Sequence, residues 1–259
     1  MSRLRAKCPH CKTYTAVAIG PSYECHACGR EYAAGLVRVP RAWGTGGEEM
    51  VEAATALDLP YPEAAVVAEE TLGDQTLVLA SELPERPLVL GGCCCSHIGA
   101  VEALATRHDR LALVWLDAHG DLNTPETSPS GNEWGMPLRM ILDGGAVEPT
   151  NVALVGARDL DPPERDFIES SGLHADADAI DRALDGADAV YVAIDGDGLD
   201  EDDVAAWMPV PGGISVADAE RSLARLAGST TIAGVGFAGF LPDPVNLEPA
   251  RRLCTAAGL

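Results

Sequence analysis

The chain has 259 residues, 47% of them apolar, and a formal net charge of −22 from 40 acidic and 18 basic side chains. Its length suits one α/β domain with a small appendage, and its acidity argues against a polyanion partner, because nucleic-acid affinity rests on basic surface. No run nears the roughly 18 apolar residues of a membrane helix and the first twelve residues hold no apolar signal segment, so the expectation is a cytoplasmic protein without a membrane partner.

Residues 1–35 read as a unit of their own. Cys8 and Cys11, then Cys25 and Cys28, form two C-x-x-C knuckles, and Gly29 follows the second as a tight turn requires. Four thiolates at this spacing can close a tetrahedron around one structural zinc. The apolar content is too small to fold alone, so bound metal would supply the folding energy. Cysteine clustering without a secretion signal also favours metal binding over disulfides. Within the segment the balance is slightly basic, with Arg3, Arg5, Lys7, Lys12 and Arg30 against Glu24 and Glu31. Docking to a protein fits the whole chain's charge, and docking to nucleic acid stays open as the lesser reading.

Residues 36–259 form the second expected unit, opening on a Pro- and Gly-rich loop at 36–46. Strands are predicted at 76–80, 87–90, 111–116, 152–155, 189–194 and 231–237, several apolar throughout, as strands buried on both faces are. Helices are predicted at 47–57, 62–72, 97–107, 135–143, 162–171, 177–184, 215–227 and 246–257. The alternation implies a doubly wound α/β fold on a mainly parallel sheet.

Active residues in such sheets gather at the carboxyl ends of strands. Three predicted strand ends step directly into unusual chemistry: Gly91 to His97 with Cys93, Cys94 and Cys95; Asp117, His119 and Asp121; and Asp195, Asp197 and Asp200. So much buried negative charge needs a cation, and carboxylates shared by two divalent ions form a two-metal clamp.

These residues resemble the arginase/agmatinase (ureohydrolase) family. The D-A-H-G-D run from Asp117, followed by Asn123 and by Ser130-Gly131-Asn132, looks like that family's second metal motif and substrate loop. The D-G-D run from Asp195 looks like its last metal motif. Gly156 to Pro162, with Arg158 and Asp161, is similar to its G-x-R-D-x-D-P loop, and Gly212 to Ser215 to its G-G-L-T/S helix start. The resemblance implies a three-layer αβα fold and a binuclear manganese centre. It implies a metal-bridging hydroxide that attacks a guanidino- or amidino-type carbon, cleaving a linear C–N bond. Carried over by position, the ligands are Asp117, His119, Asp121, Asp195 and Asp197, with Asp117 and Asp195 bridging and Asp121 orienting the nucleophile. Asn123, Ser130 and Asp161 match positions that grip the far end of the substrate.

Three positions depart from that pattern. Cys94 stands where the family has a histidine ligand; a thiolate shifts preference toward zinc or iron, with a buried apolar thiol as the other reading and nearby His97 as an alternative ligand. Trp134 stands where arginases have a proton-shuttling histidine, and indole cannot exchange protons at neutral pH; it would wall the pocket instead. Asp218 stands where the family has a guanidinium-binding glutamate, and it fits either a substrate contact or the capping box of Ser215. A non-catalytic binding or scaffold protein of the same fold, with the ribbon as its docking module, is the rival reading. A homo-oligomer, or a protein partner met through the ribbon, is the expected assembly.

Overall fold

The computed structural model describes residues 5–259, so Arg3 lies outside the described residues. Short strands β1 (Arg5–Ala6), β2 (Ala16–Ile19), β3 (Ser22–Cys25) and β4 (Glu31–Tyr32) make an antiparallel sheet in chain order. Its interior consists of Ala6, Cys8, Ala16, Tyr23 and Cys25, closed by Ala64 from the neighbouring sheet. That is too little apolar burial for independent stability. The four knuckle cysteines meet beside it, with Sγ separations of 3.9 Å for Cys8–Cys28 and 3.5 Å for Cys11–Cys25. The Thr15 hydroxyl, 3.2 Å from Cys25, holds that thiol down at about 6.

The second sheet contains β5 (Gly35–Val39), β6 (Glu63–Val66), β7 (Pro87–Gly91), β8 (Leu111–Leu116), β9 (Val152–Val155), β10 (Ala189–Asp195) and β11 (Thr231–Ala238). Their order is β6-β5-β7-β11-β10-β8-β9, and every pairing is parallel. Parallel strands need crossovers, which the helices supply. These are α1 (Glu48–Ala56), α2 (Leu72–Glu82), α3 (Ile98–Ala105), α4 (Pro137–Asp143), α5 (Pro162–Ser171), α6 (Ala179–Ala183), α7 (Val216–Ser229) and α8 (Leu247–Ala256). Apolar side chains of α6, α7 and α8 cover one face of the sheet, and those of α2, α3 and α4 the other, giving three αβα layers. Helix α7 shows the cause: Val216, Ala219, Leu223 and Leu226 recur on one face and are buried, each leucine contributing about 2 kcal/mol. No helix among the described residues is long and apolar enough to cross a membrane.

Three predicted segments differ. Residues 36–39 are strand β5 rather than loop: Leu36, Val37 and Val39 are buried, and Arg38 is tolerated there because it pairs with Glu63 at 2.9 Å and donates to the Ala54 and Leu57 carbonyls. Within 62–72, predicted helical, Glu63–Val66 is strand β6, because tertiary pairing with β5 overrides the helix propensity of its alanines. Residues 76–80 lie in helix α2 rather than a strand. Thr71 caps that helix by accepting from the Asp74 N–H, and only Gln75 and Leu79 are buried, four apart, while Leu77 faces solvent.

The two sheets meet at β5, where the Tyr23 ring packs on Gly35, and at β6. Lys7 and Glu63 exchange backbone hydrogen bonds of 2.9 and 3.0 Å, so the N-terminal segment caps edge strand β6. An edge strand left open is a template for aggregation.

Candidate metal centre

The carboxyl ends of β7, β11, β10 and β8 lie side by side at the middle of the sheet. After β7 the backbone tightens into a 3-10 turn over Cys94–His97 that runs into α3. After β8 come Asp117, His119 and Asp121; after β10, Asp197 follows Asp195. Two glycines let these loops close on one another. A Cβ on Gly198 would lie 2.8 Å from the Asp117 backbone nitrogen, and one on Gly239, at φ +70°, would lie 2.0 Å from Asp195 Oδ1.

The side chains form two overlapping groups. Potential ligand atoms of Cys94, Asp117 and Asp121 all lie within 4.8 Å of one another, and so do those of Asp117, His119 and Asp197. Asp117 belongs to both. Its Oδ1 accepts from the His119 backbone N–H at 2.8 Å and its Oδ2 from the Trp115 indole N–H at 3.2 Å, which fixes the carboxylate plane. Asp195 joins the first group through Cys94, whose thiol donates to Asp195 Oδ2 at 2.9 Å and lies 3.7 Å from Asp117 Oδ2. His119 Nδ1 stands 3.0 Å from Asp197 Oδ2. Asp121 sits at a left-handed φ of 52°, with its Oδ2 buried and without a hydrogen-bond partner.

Electrostatically the cluster is out of balance. Burial lifts Asp117 above the ordinary carboxylate range and Asp195 to about 7. Asp197 rises to about 6, through burial and the Asp117 charge, and Asp121 rises well above its usual value through burial and the charges of Asp117 and Asp195. Burial alone would lower His119, but hydrogen bonds to Asp117 and Asp197 carry it up to about 12. The Cys94 thiol is pushed up by burial and by the Asp195 charge. One imidazole cannot neutralise four buried carboxylates, whereas divalent cations can. The donor set and the unpartnered Asp121 oxygen therefore fit a metal centre.

The cluster forms the floor of a cavity of about 270 Å³. Asn123, Ser130, Asp161 and Trp134 line it, as the sequence suggests for substrate-facing residues. The Asn123 amide donates to Asp161 Oδ2 at 2.9 Å. Asp218 is a correction: it does not line the cavity. It is exposed, accepts from the Ser215 hydroxyl at 2.6 Å and pairs with Arg221, so its place is at the Ser215 N-cap of α7. His97 is also elsewhere, buried edge-on against Trp115 and bonded to the Tyr191 hydroxyl at 3.0 Å; burial lowers it to about 3. Cys93 accepts from the Trp43 N–H, and Cys95 donates to the Glu133 carbonyl.

Sequence reasoning missed several participants. Trp115 lies on β8 two residues before Asp117, which follows the strand end, and that period-two spacing was the available signal. Glu164 is buried in the cavity wall, where it accepts from the Leu122 and Asp161 N–H groups; its signal was the D-x-x-E capping box begun by Asp161. Trp207 and Met208 lie far along the chain and carry no comparable pattern.

A family model described as "Arginase family" matches residues 49–244. An arginase of Bacillus subtilis (strain 168) is 34% identical over 218 residues, covering 70% of this chain and 74% of the relative. The chain belongs to the arginase family. The matched region takes in all six residues of the cluster and leaves out the cysteine knuckles. A second arginase, from Bacillus caldovelox, is 34% identical over 178 residues, 58% of this chain and 60% of the relative. Among solved structures, arginase-family likeness extends to the arginase of Bacillus cereus, with a TM-score of 0.76, 27% identity, and coverage of 86% of this chain and 97% of that one.

Proposed function

We propose that this chain is a metal-dependent amidinohydrolase that cleaves a linear C–N bond in a small guanidino or amidino compound. The observation that carries this is the pair of overlapping ligand groups sharing Asp117 at the floor of a cavity. Membership of a family whose relatives are named arginase agrees with it. In this reading Cys94, Asp117, His119, Asp121, Asp195 and Asp197 hold two divalent ions, and Cys8, Cys11, Cys25 and Cys28 hold one structural zinc. The ions would offset the buried carboxylates and lower the pKa of water enough to make hydroxide available near neutral pH. The ribbon (1–35) and the hydrolase domain (36–259) are the two units of the same proposal.

The chain's own residues supply the rest. No lysine or arginine among the described residues lines the cavity, while Asp159, Asp161 and Glu164 do, so the cavity suits a cationic substrate. Asn123 holds Asp161 in one orientation for that cation's far end. Trp134, its ring packed on Gly44 and Gly47, gives a flat apolar wall against which a planar guanidinium can stack. Asp121 would hold an ion through one carboxylate oxygen, leaving the other to take the proton of the attacking water and pass it to the departing amine, which the Trp134 indole cannot do. The rival reading, a non-catalytic protein of this fold, draws on Trp134 and on the absence of Asp218 from the cavity.

Purified protein supplied with manganese and zinc, offered a panel of guanidino and amidino compounds, should release urea or the equivalent fragment from at least one. Metal confined to the cysteine knuckles would overturn the assignment. Two further ions with ligand-dependent thermal shifts but no turnover across the panel would support the rival.

A further inference from the structure

The two ligand groups are not chemically alike. Beyond the shared Asp117, one offers the Cys94 sulfur with carboxylates, and the other offers an imidazole with a carboxylate. We infer that the centre is built for two different metals, with a thiophilic ion such as zinc beside Cys94 and a harder ion such as manganese beside His119. This rests on the proposed two-metal reading and says how its two positions differ.

Several observations point the Cys94 sulfur at a cation rather than into the core. Its neighbours Cys93 and Cys95 are turned to the Trp43 N–H and the Glu133 carbonyl, so Cys94 is the thiol that faces the acids. Cys94 is 3% exposed, and its sulfur meets Asp195 and Asp117 at 2.9 and 3.7 Å. Asp121, 5% exposed, contributes an oxygen with no other partner to the same group. Thiolate donors select zinc and iron over manganese and carboxylates suit manganese, while imidazole also accepts zinc, so the sulfur is what sets the Cys94 position apart. A sulfur on one side only therefore separates the preferences of two neighbouring positions.

The test uses the full chain loaded with cadmium and read by 113Cd NMR, where a four-thiolate and a one-thiolate site give separate resonances. The four-cysteine resonance serves as a control for folding. Wild type should show both, and Cys94→Ser should lose or displace only the one-thiolate resonance. In parallel, protein whose four-cysteine site holds zinc, titrated with manganese alone, should bind one manganese ion more tightly than a second, while Cys94→His should bind two with similar affinity. A cadmium spectrum unchanged by Cys94→Ser, or two manganese ions bound by the wild type with equal affinity, would overturn the inference while leaving a two-metal centre standing. Absence of any ion beyond the four-cysteine site would instead remove the functional reading beneath it.

Discussion

The chain brings cysteines to a candidate metal position in two ways. In the N-terminal segment all four donors are sulfur, they lie within 21 residues from Cys8 to Cys28, and little else forms the core around them. At the sheet, one sulfur joins carboxylates and an imidazole contributed by three strands, from Cys94 to Asp197, within a large prebuilt core. In the proposed reading the first arrangement would make metal a part of folding. The second holds repelling charges together by a scaffold that already stands, which is how a reactive centre is kept poised. Position in the molecule agrees: Lys7, just before the first knuckle, pairs with Glu63 on the β6 edge, and the mixed cluster opens to a cavity.

If that division is right, substitutions should separate along it. Asp195→Ala should cut turnover by on the order of a thousandfold, about 4 kcal/mol of barrier, with little change in melting temperature. Cys25→Ser should do the reverse, lowering the melting temperature while the folded fraction keeps its specific activity. Equal loss of both properties in either variant would erase the distinction. Trp115→Phe removes the indole donor from Asp117 Oδ2 while keeping an aromatic ring, and a roughly 10–100-fold loss of metal affinity or activity is expected from titration of the apoprotein and steady-state kinetics.

Acidity sharpens the contrast further. An unfolded aspartate titrates near 3.8, whereas burial lifts Asp195 to about 7 and Asp197 to about 6 in the fold. The folded, metal-free chain thus binds more protons than the unfolded one between those values, so its stability falls as pH rises through that window. His119, raised from 6.5 to about 12, extends the same downward trend to higher pH. Chelated wild type should melt at lower temperature at about pH 8 than at about pH 5.5, and chelated Asp195→Asn should show a flatter profile. A rising melting temperature across that range in the wild type would contradict the charge imbalance. The smallest effect belongs to the α7 cap: Ser215→Ala should cost about 1 kcal/mol in denaturant unfolding, and Asp218→Asn should leave KM unchanged.

The sequence made some of this legible and hid the rest for identifiable reasons. Strands β7 to β11 are nearly continuous apolar runs, and the acidic residues at their ends stand out by contrast. Strand β5 was masked by Arg38 and by Pro40 just beyond it, because the pairing that excuses a buried arginine comes from Glu63, 25 residues away. Strand β6 and helix α2 exchanged appearances: an alanine-rich strand looks helical, and a Leu-Val-Leu run looks extended until its single buried face is seen. Among site residues, the six proposed ligands stand out as motifs. Asp218 was ambiguous because a cap and a substrate contact share one sequence pattern, and only its position outside the cavity separates them. Trp115 and Glu164 act by holding other residues, which leaves a fainter trace in sequence than acting directly.

The central claim is that Asp117 is common to two cation positions. Counting divalent ions per chain by native mass spectrometry, for the wild type beside Asp117→Ala and Asp197→Ala, tests it directly. About three ions are expected for the wild type, about two for Asp197→Ala and about one, the four-cysteine zinc, for Asp117→Ala. A wild type holding a single ion, or an Asp117→Ala variant retaining the wild-type count, would contradict it.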